Sequence, residues 1–89
     1  MSANRSKLFY QDLTPAAAYD AANSFAFETG FNNLKIICAT ALCEFSITGP
    51  DGTKVDGKLL PGESETWNGL GVHKIAFKGA ASVVRVWAW

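Results

Sequence analysis

Most of the chain after residue 23 alternates between hydrophobic and polar positions with the period of two that is typical of β-strands. Residues 24–28 and 43–48 follow this pattern closely, so each predicts a strand with one face in a core and one face in water. Residues 34–40 are apolar on both faces apart from Lys35, which predicts a central strand.

Turn residues separate these segments at regular intervals. The sequence Gly49-Pro50-Asp51-Gly52 is a strong turn signal, because Pro favours the first corner and Gly accepts a positive φ. Further breaks fall at residues 61–62, 68–71 and 79–82. About seven short strands with such spacing predict an all-β fold, an antiparallel β-sandwich or small barrel.

The first 22 residues have a different character. Thr14 and Pro15 precede a run of alanines, which favours a short helix capped by Thr14, although eight residues are marginal for an isolated helix. The alternative is an extended arm that orders when it docks. We therefore divide the chain into an arm or short helix (residues 1–22) and a sandwich (residues 23–89). The apolar residues expected to dock the arm onto another chain are Leu8, Phe9, Tyr10 and Leu13.

The last predicted strand is apolar on both faces. Val84, Val86 and Ala88 form one face, and a domain this small can hardly cover the other by itself. Either the strand is central in the sandwich or a second subunit covers it. Trp and Arg often anchor interfaces, which favours the second reading. The predicted subunit contact consists of Val83, Arg85, Trp87 and Trp89.

Composition narrows the classes of function. The 89 residues are 48% hydrophobic, and eight basic side chains balance eight acidic ones without forming a run. This balance argues against nucleic-acid binding. No apolar run is long enough for a membrane span, so we expect a soluble protein made in the cytoplasm. Cys38 and Cys43 lack a metal-binding spacing and are expected to be free thiols.

Catalytic motifs are not apparent. His73 is the only histidine, and its neighbours Ile75 and Phe77 favour a half-buried structural role over that of a general base. We therefore expect neither an enzyme nor a cofactor or metal site. A second hypothesis is a carbohydrate-binding module, because tryptophan rings stack on sugars. The candidate sugar-binding residues are Trp67, Trp87 and Trp89.

Three segments together resemble small bacteriophage virion β-sandwiches, namely head decoration (cement) proteins and fibre-associated or tail-associated domains. They are residues 30–37 (GFNNLKII), 60–67 (LPGESETW) and 75–89. The resemblance implies a jelly-roll-like subunit that forms a homo-oligomer, often a trimer, on a capsid or tail, with an N-terminal arm that reaches a neighbour.

The sequence thus predicts a non-enzymatic virion structural protein that acts by oligomeric assembly, with a carbohydrate-binding module as the alternative. The expected partners are further copies of the chain and the major capsid protein or another virion protein. The expected location is the virion, after assembly in the host cytoplasm.

Overall fold

The structure is a computed structural model that describes residues 8–69, 71–79 and 82–89. Eight β-strands account for most of this part of the chain. Their bounds are β1 Phe9–Leu13, β2 Ser24–Phe31, β3 Leu34–Thr40, β4 Cys43–Thr48, β5 Lys54–Leu59, β6 Ser64–Trp67, β7 Val72–Lys78 and β8 Val83–Ala88.

The strands form two four-stranded sheets that pack face to face. The first sheet has the order β1-β8-β3-β6, and the second has the order β2-β7-β4-β5. Every neighbouring pair is antiparallel. The predicted all-β antiparallel sandwich is therefore confirmed. Strands β3 and β8 are both central in the first sheet. This position was predicted for β3, and for β8 it was one of two alternatives.

The core lies between the sheets and follows from strict alternation along the strands. In β8, Val84, Val86 and Ala88 are fully buried, whereas the residues between them face outward. The inner faces of β3, β4 and β7 supply most of the remaining core, and the buried apolar set is Leu34, Ile36, Cys38, Cys43, Phe45, Ile47, Leu59, Val72, Ile75 and Phe77. A side-chain period of two places alternate residues on one face, so the hydrophobic pattern fixes the strand register.

Aromatic side chains close the two open sides of the sandwich. On one side, the ring of Phe9 from β1 packs against Phe25 and Phe27 from β2, with centroids 5.3 and 4.9 Å apart. On the other side, Trp67 from β6 packs against Phe45 from β4 at 5.4 Å in an edge-to-face arrangement. The first contact joins the edge strands β1 and β2, and the second joins the edge strand β6 to the interior strand β4.

The segment between β1 and β2 does not form the short helix that its alanines favour. Its only helical part is one turn of 3-10 helix, Ala21–Asn23, which is capped by Asp20 rather than Thr14. Pro15 is buried, and the Ala16 carbonyl accepts a hydrogen bond from the Gly79 amide. These tertiary contacts hold the segment against the second sheet without a regular helix and override the helix propensity.

The predicted turn at residues 49–52 is present. The Gly52 amide donates to the Gly49 carbonyl at 3.1 Å, and the Gly49 amide donates to the Thr53 carbonyl at 2.9 Å. Asp51 accepts a hydrogen bond from the Thr53 amide, which lowers the pKa of its carboxyl group. Gly52 has a φ of +86°, which explains why glycine occupies this corner.

Candidate assembly surface on the outer face of the first sheet

Trp87 lies at the centre of the outer face of the first sheet. Strand pairing sets Tyr10 on one side of it and Lys35 on the other. The Tyr10 and Trp87 ring centroids are 5.0 Å apart, and the Lys35 ammonium group lies 5.9 Å from the Trp87 centroid. Cross-strand pairs of this kind hold side chains in place on a sheet face. The result is an ordered aromatic and cationic patch that is open to solvent.

A second row of side chains crosses the same face. The Arg85 guanidinium group lies 3.3 Å from the Asp12 carboxylate, and both side chains are 57% exposed. The Tyr10 hydroxyl donates to the same carboxylate at 2.7 Å, and this hydrogen bond raises the pKa of Tyr10. Exposed ion pairs contribute little to stability, so the main consequence is to orient Arg85 and Tyr10 beside Trp87.

The predicted subunit contact is brought together in part. Val83, Arg85 and Trp87 share the outer face of β8, with Val83 and Trp87 half-buried and Arg85 exposed. Trp89 follows the strand and is 41% exposed. Its backbone is fixed to the β2–β3 turn, because its amide donates to the Asn33 carbonyl at 3.1 Å. The carbonyl of Trp89 in turn accepts from the Asn33 amide at 2.8 Å.

The three tryptophans do not form one platform. Trp67 is level with Leu34, whose side chain is in the core, so it lies on the inner side of the sheet, opposite to Trp87. It lines an apolar recess of about 540 Å³ together with Ile47 and Val55. A sugar that stacked on Trp87 would therefore not reach Trp67.

The residues expected to dock the arm take two different positions. Phe9 and Leu13 belong to β1, face inward and pack on the chain's own core, which corrects their assignment to another chain. Leu8 and Tyr10 are 71% and 45% exposed. The sandwich therefore includes residues that we had placed in the arm. Residues 1–7 of that arm lie outside the described part of the chain.

The other candidate residues have structural positions. His73 is half-buried on β7, and its imidazole lies against the backbone of Gly30. Cys38 and Cys43 are buried free thiols. Burial raises the pKa of both thiols, that of Cys43 to about 12.

Metal-binding clusters and membrane-spanning helices are both absent from residues 8–69, 71–79 and 82–89. These residues contain no cluster of three or more His, Cys, Asp or Glu side chains that could hold a metal ion. None of their helices is long and apolar enough to cross a membrane.

Sequence reasoning missed several residues that complete this surface and its counterpart on the second sheet. Asp12 and Lys35 flank β8 only because β1 and β3 pair with it. Tyr19 lies over the second sheet, where the Lys78 ammonium group is 4.9 Å from its ring centroid. The place of Lys35 in the alternating pattern of β3 indicates that its side chain faces outward. Which residue lies beside it on the next strand depends on the strand order.

The fold defines an eight-stranded antiparallel β-sandwich protein. No family model matches the chain, and no curated protein sequence matches it significantly. The chain does match several solved structures. The chain is similar to the SPBc2 prophage-derived protein YomS, with a TM-score of 0.56, 14% identity and 98% of each chain covered.

Two further structures share the fold. One is a structure of Bacillus endospore appendages, described as disulfide-linked pili, with a TM-score of 0.59, 14% identity, and 100% of this chain and 94% of the other covered. The other is Drosophila melanogaster CENP-C bound to CAL1, with a TM-score of 0.54, 13% identity, and 90% of this chain and 62% of the other covered. At these identities the likeness shows the fold alone.

Proposed function

We propose that this chain is a non-enzymatic structural protein of a virion, a capsid decoration (cement) or fibre-associated subunit that acts by oligomeric assembly. The observation that carries the proposal is the outer face of the first sheet, where Trp87 lies between Tyr10 and Lys35 on a central strand. Trp, Tyr and Arg are the residues that most often dominate interface energies. Here they stand together on a rigid sheet and remain open to solvent.

The order of strands supports the same proposal. The strand orders β1-β8-β3-β6 and β2-β7-β4-β5 support the jelly-roll-like subunit that we propose, because every connection between successive strands except β4–β5 crosses between the sheets. Jelly rolls are frequent in viral capsid proteins, although the fold alone does not define a function. One neighbour in fold is prophage-derived and another forms pili, which agrees with a subunit that assembles.

The self-contact that we propose is non-covalent. The chain has two cysteines, and both are buried in the core, so neither is available for a bond between subunits. A homo-oligomer, with a trimer as the expected form, would place the Trp87 face against a neighbouring copy. The remaining surface would contact the major capsid protein or another virion protein.

Light scattering coupled to size exclusion tests the assembly. We expect a mass that is a multiple of 9.6 kDa, stable on dilution and unchanged by a reducing agent. Trp87→Ala should give a monomer with unaltered β-structure by circular dichroism. Tyr19→Ala is the control, since Tyr19 is an aromatic residue over the other sheet and is 40% exposed. If the Trp87→Ala protein kept the mass of the oligomer, Trp87 would not be part of the subunit contact.

The alternative function, a carbohydrate-binding module, is favoured by one feature, the apolar recess beside Trp67. A sugar ring in this recess would change the fluorescence of Trp67. Titration with neutral polysaccharides tests this directly, with Trp67→Phe as the control for assignment. A signal that stays flat across the panel argues against the alternative.

A further inference from the structure

The outer face of the second sheet contains a polar groove of about 360 Å³ that the assembly proposal does not use. Its floor follows two rows of paired residues across β7, β4 and β5. One row contains Ser46 and Asp56, and the next contains Lys74, Thr48 and Lys54. Tyr19, from the segment between β1 and β2, forms a wall. Small-ligand sites have volumes of roughly 300 to 1,000 Å³, so the groove is large enough for one small molecule.

Ser46 is the feature of this groove that points to a ligand. It lies on the outer face of β4, yet it is only 7% exposed. Its hydroxyl oxygen is buried, and among the described residues it has no hydrogen-bond partner. Leaving a buried polar group without a partner is unfavourable, and native proteins keep few such groups. The hydroxyl lines the groove, where a bound molecule can satisfy it.

The charged side chains define the chemistry of that molecule. Lys54 and Lys74 are both paired with Thr48, one on each side, and both line the groove. Ammonium groups only donate hydrogen bonds, the Asp56 carboxylate only accepts them, and the hydroxyls of Ser46 and Thr48 do both. The lining thus carries one net positive charge together with both donors and acceptors. A simple inorganic anion would meet the like charge of Asp56 and could not donate a hydrogen bond to it, whereas a carboxylate that also bears hydroxyl groups matches the whole set.

Tyr19 adds an aromatic surface with a fixed position. The Lys78 ammonium group lies 4.9 Å from its ring centroid, and Lys78 is itself 3.9 Å from the Glu44 carboxylate. Aromatic rings pack well against the C–H surface of a sugar ring. The wall and the floor together therefore suit a hydroxylated ring with one acidic group.

We propose that this groove binds an acidic monosaccharide of the uronic acid type, with its carboxylate between Lys54 and Lys74 and a ring hydroxyl on the Ser46 oxygen. This site lies on the opposite side of the sandwich from Trp87. It is also separate from the Trp67 recess. The inference does not depend on the proposed assembly, and its test can be performed on the Trp87→Ala protein.

Titration with sodium glucuronate, followed by the amide signals of the 15N-labelled protein, tests the site. We expect saturable shifts at Ser46, Thr48, Lys54 and Lys74, and binding about tenfold weaker for glucose, which lacks the carboxylate, an energy of about 1.4 kcal/mol. Acetate, which lacks the ring and its hydroxyls, should also bind about tenfold more weakly. Glucuronate that produces no saturable shift overturns the proposal, and so does acetate that binds as tightly as glucuronate.

Three variants assign the binding to the groove. Lys74→Gln should weaken glucuronate binding about tenfold, because a positive charge at the carboxylate is lost. Lys58→Gln is the matched control, since Lys58 is on the same face of β5 but pairs with Glu44, outside the groove. Ser46→Ala should weaken binding without lowering the melting temperature, because it removes an unsatisfied oxygen. An equal loss of affinity in Lys58→Gln and Lys74→Gln overturns the assignment.

Discussion

Single residues at the edge of the second sheet show how closely the core is packed. Gly57 on β5 is paired with Phe45 on β4, and a Cβ atom at residue 57 would lie 2.6 Å from the Phe45 ring. Phe45 is 4% exposed and packs on Trp67, so its ring has no space to move. We expect Gly57→Ala to lower the free energy of unfolding by about 1 to 3 kcal/mol through overpacking. Urea denaturation measures this loss.

Gly49 offers a matched control for this substitution. A Cβ atom there would meet its nearest neighbour, the Asp51 carboxylate, at 3.6 Å, which is ordinary contact. Gly49→Ala should therefore change the free energy of unfolding by less than about 0.5 kcal/mol. Similar losses in Gly57→Ala and Gly49→Ala would mean that the Phe45 ring is not the cause.

The two thiols give a second prediction at this scale. Burial raises the pKa of Cys43 to about 12, with further increases from the nearby Cys38 and Glu44, and burial also raises the pKa of Cys38. Because the thiolate is the reactive form, both residues should resist iodoacetamide at pH 8 in the native protein. In urea both should be alkylated, which mass spectrometry can count. Rapid labelling of the folded protein would contradict their burial.

At the scale of elements, strand β1 behaves as part of the sandwich rather than as a separate arm. It pairs with β8 over its whole length, and Phe9 packs on Phe25 and Phe27. We expect Phe9→Ala to lower the free energy of unfolding by about 2 to 3 kcal/mol, somewhat below the loss for a fully buried ring. The measurement is urea denaturation of the Trp87→Ala protein, so that self-association does not contribute.

Leu8 provides the comparison for β1. It is 71% exposed and directly precedes the strand, so Leu8→Ala should be nearly neutral, within about 0.5 kcal/mol. If Phe9→Ala were equally neutral, β1 would contribute nothing to the stability of the sandwich. That result would support the prediction that Phe9 belongs to an arm.

The elements that the sequence predicted are those whose signals are local. Alternation within residues 43–48 and the turn at residues 49–52 need no distant partner, and both are present. Two other features depend on contacts that are distant in sequence. Strand β1 forms because the opposite end of the chain supplies β8, and the alanine-rich segment does not form the predicted helix because the Ala16 carbonyl is bonded to the Gly79 amide.

The same distinction applies to the candidate sites. The outward position of Trp87 followed from alternation along β8, so this part of the assembly surface was predictable. Alternation also placed Ser46 on a face exposed to water, but in the structure it is only 7% exposed and lines a groove together with Tyr19. Tyr19 comes from another part of the chain, and its position cannot be read from residues 43–48 alone.

The whole molecule presents two outer faces of different character. The first sheet offers an aromatic and cationic patch centred on Trp87, which suits contact with another protein chain. The second sheet offers a polar groove with an unsatisfied hydroxyl, which suits a small ligand. The buried core lies between the two faces. One face can therefore be covered in an assembly while the other remains in contact with solvent.

Because the two faces are separated by the core, we predict that self-association and glucuronate binding are independent. The sheets of a sandwich pack about 10 Å apart, and substitutions at that distance without shared partners usually have additive effects. Trp87→Ala should abolish self-association and leave glucuronate binding intact, whereas Ser46→Ala should weaken glucuronate binding and leave self-association intact. The double variant should show both losses, each equal to that of its single variant, by light scattering and by titration. A change in glucuronate affinity on dissociation of the oligomer would instead mean that the neighbouring subunit contributes to the groove.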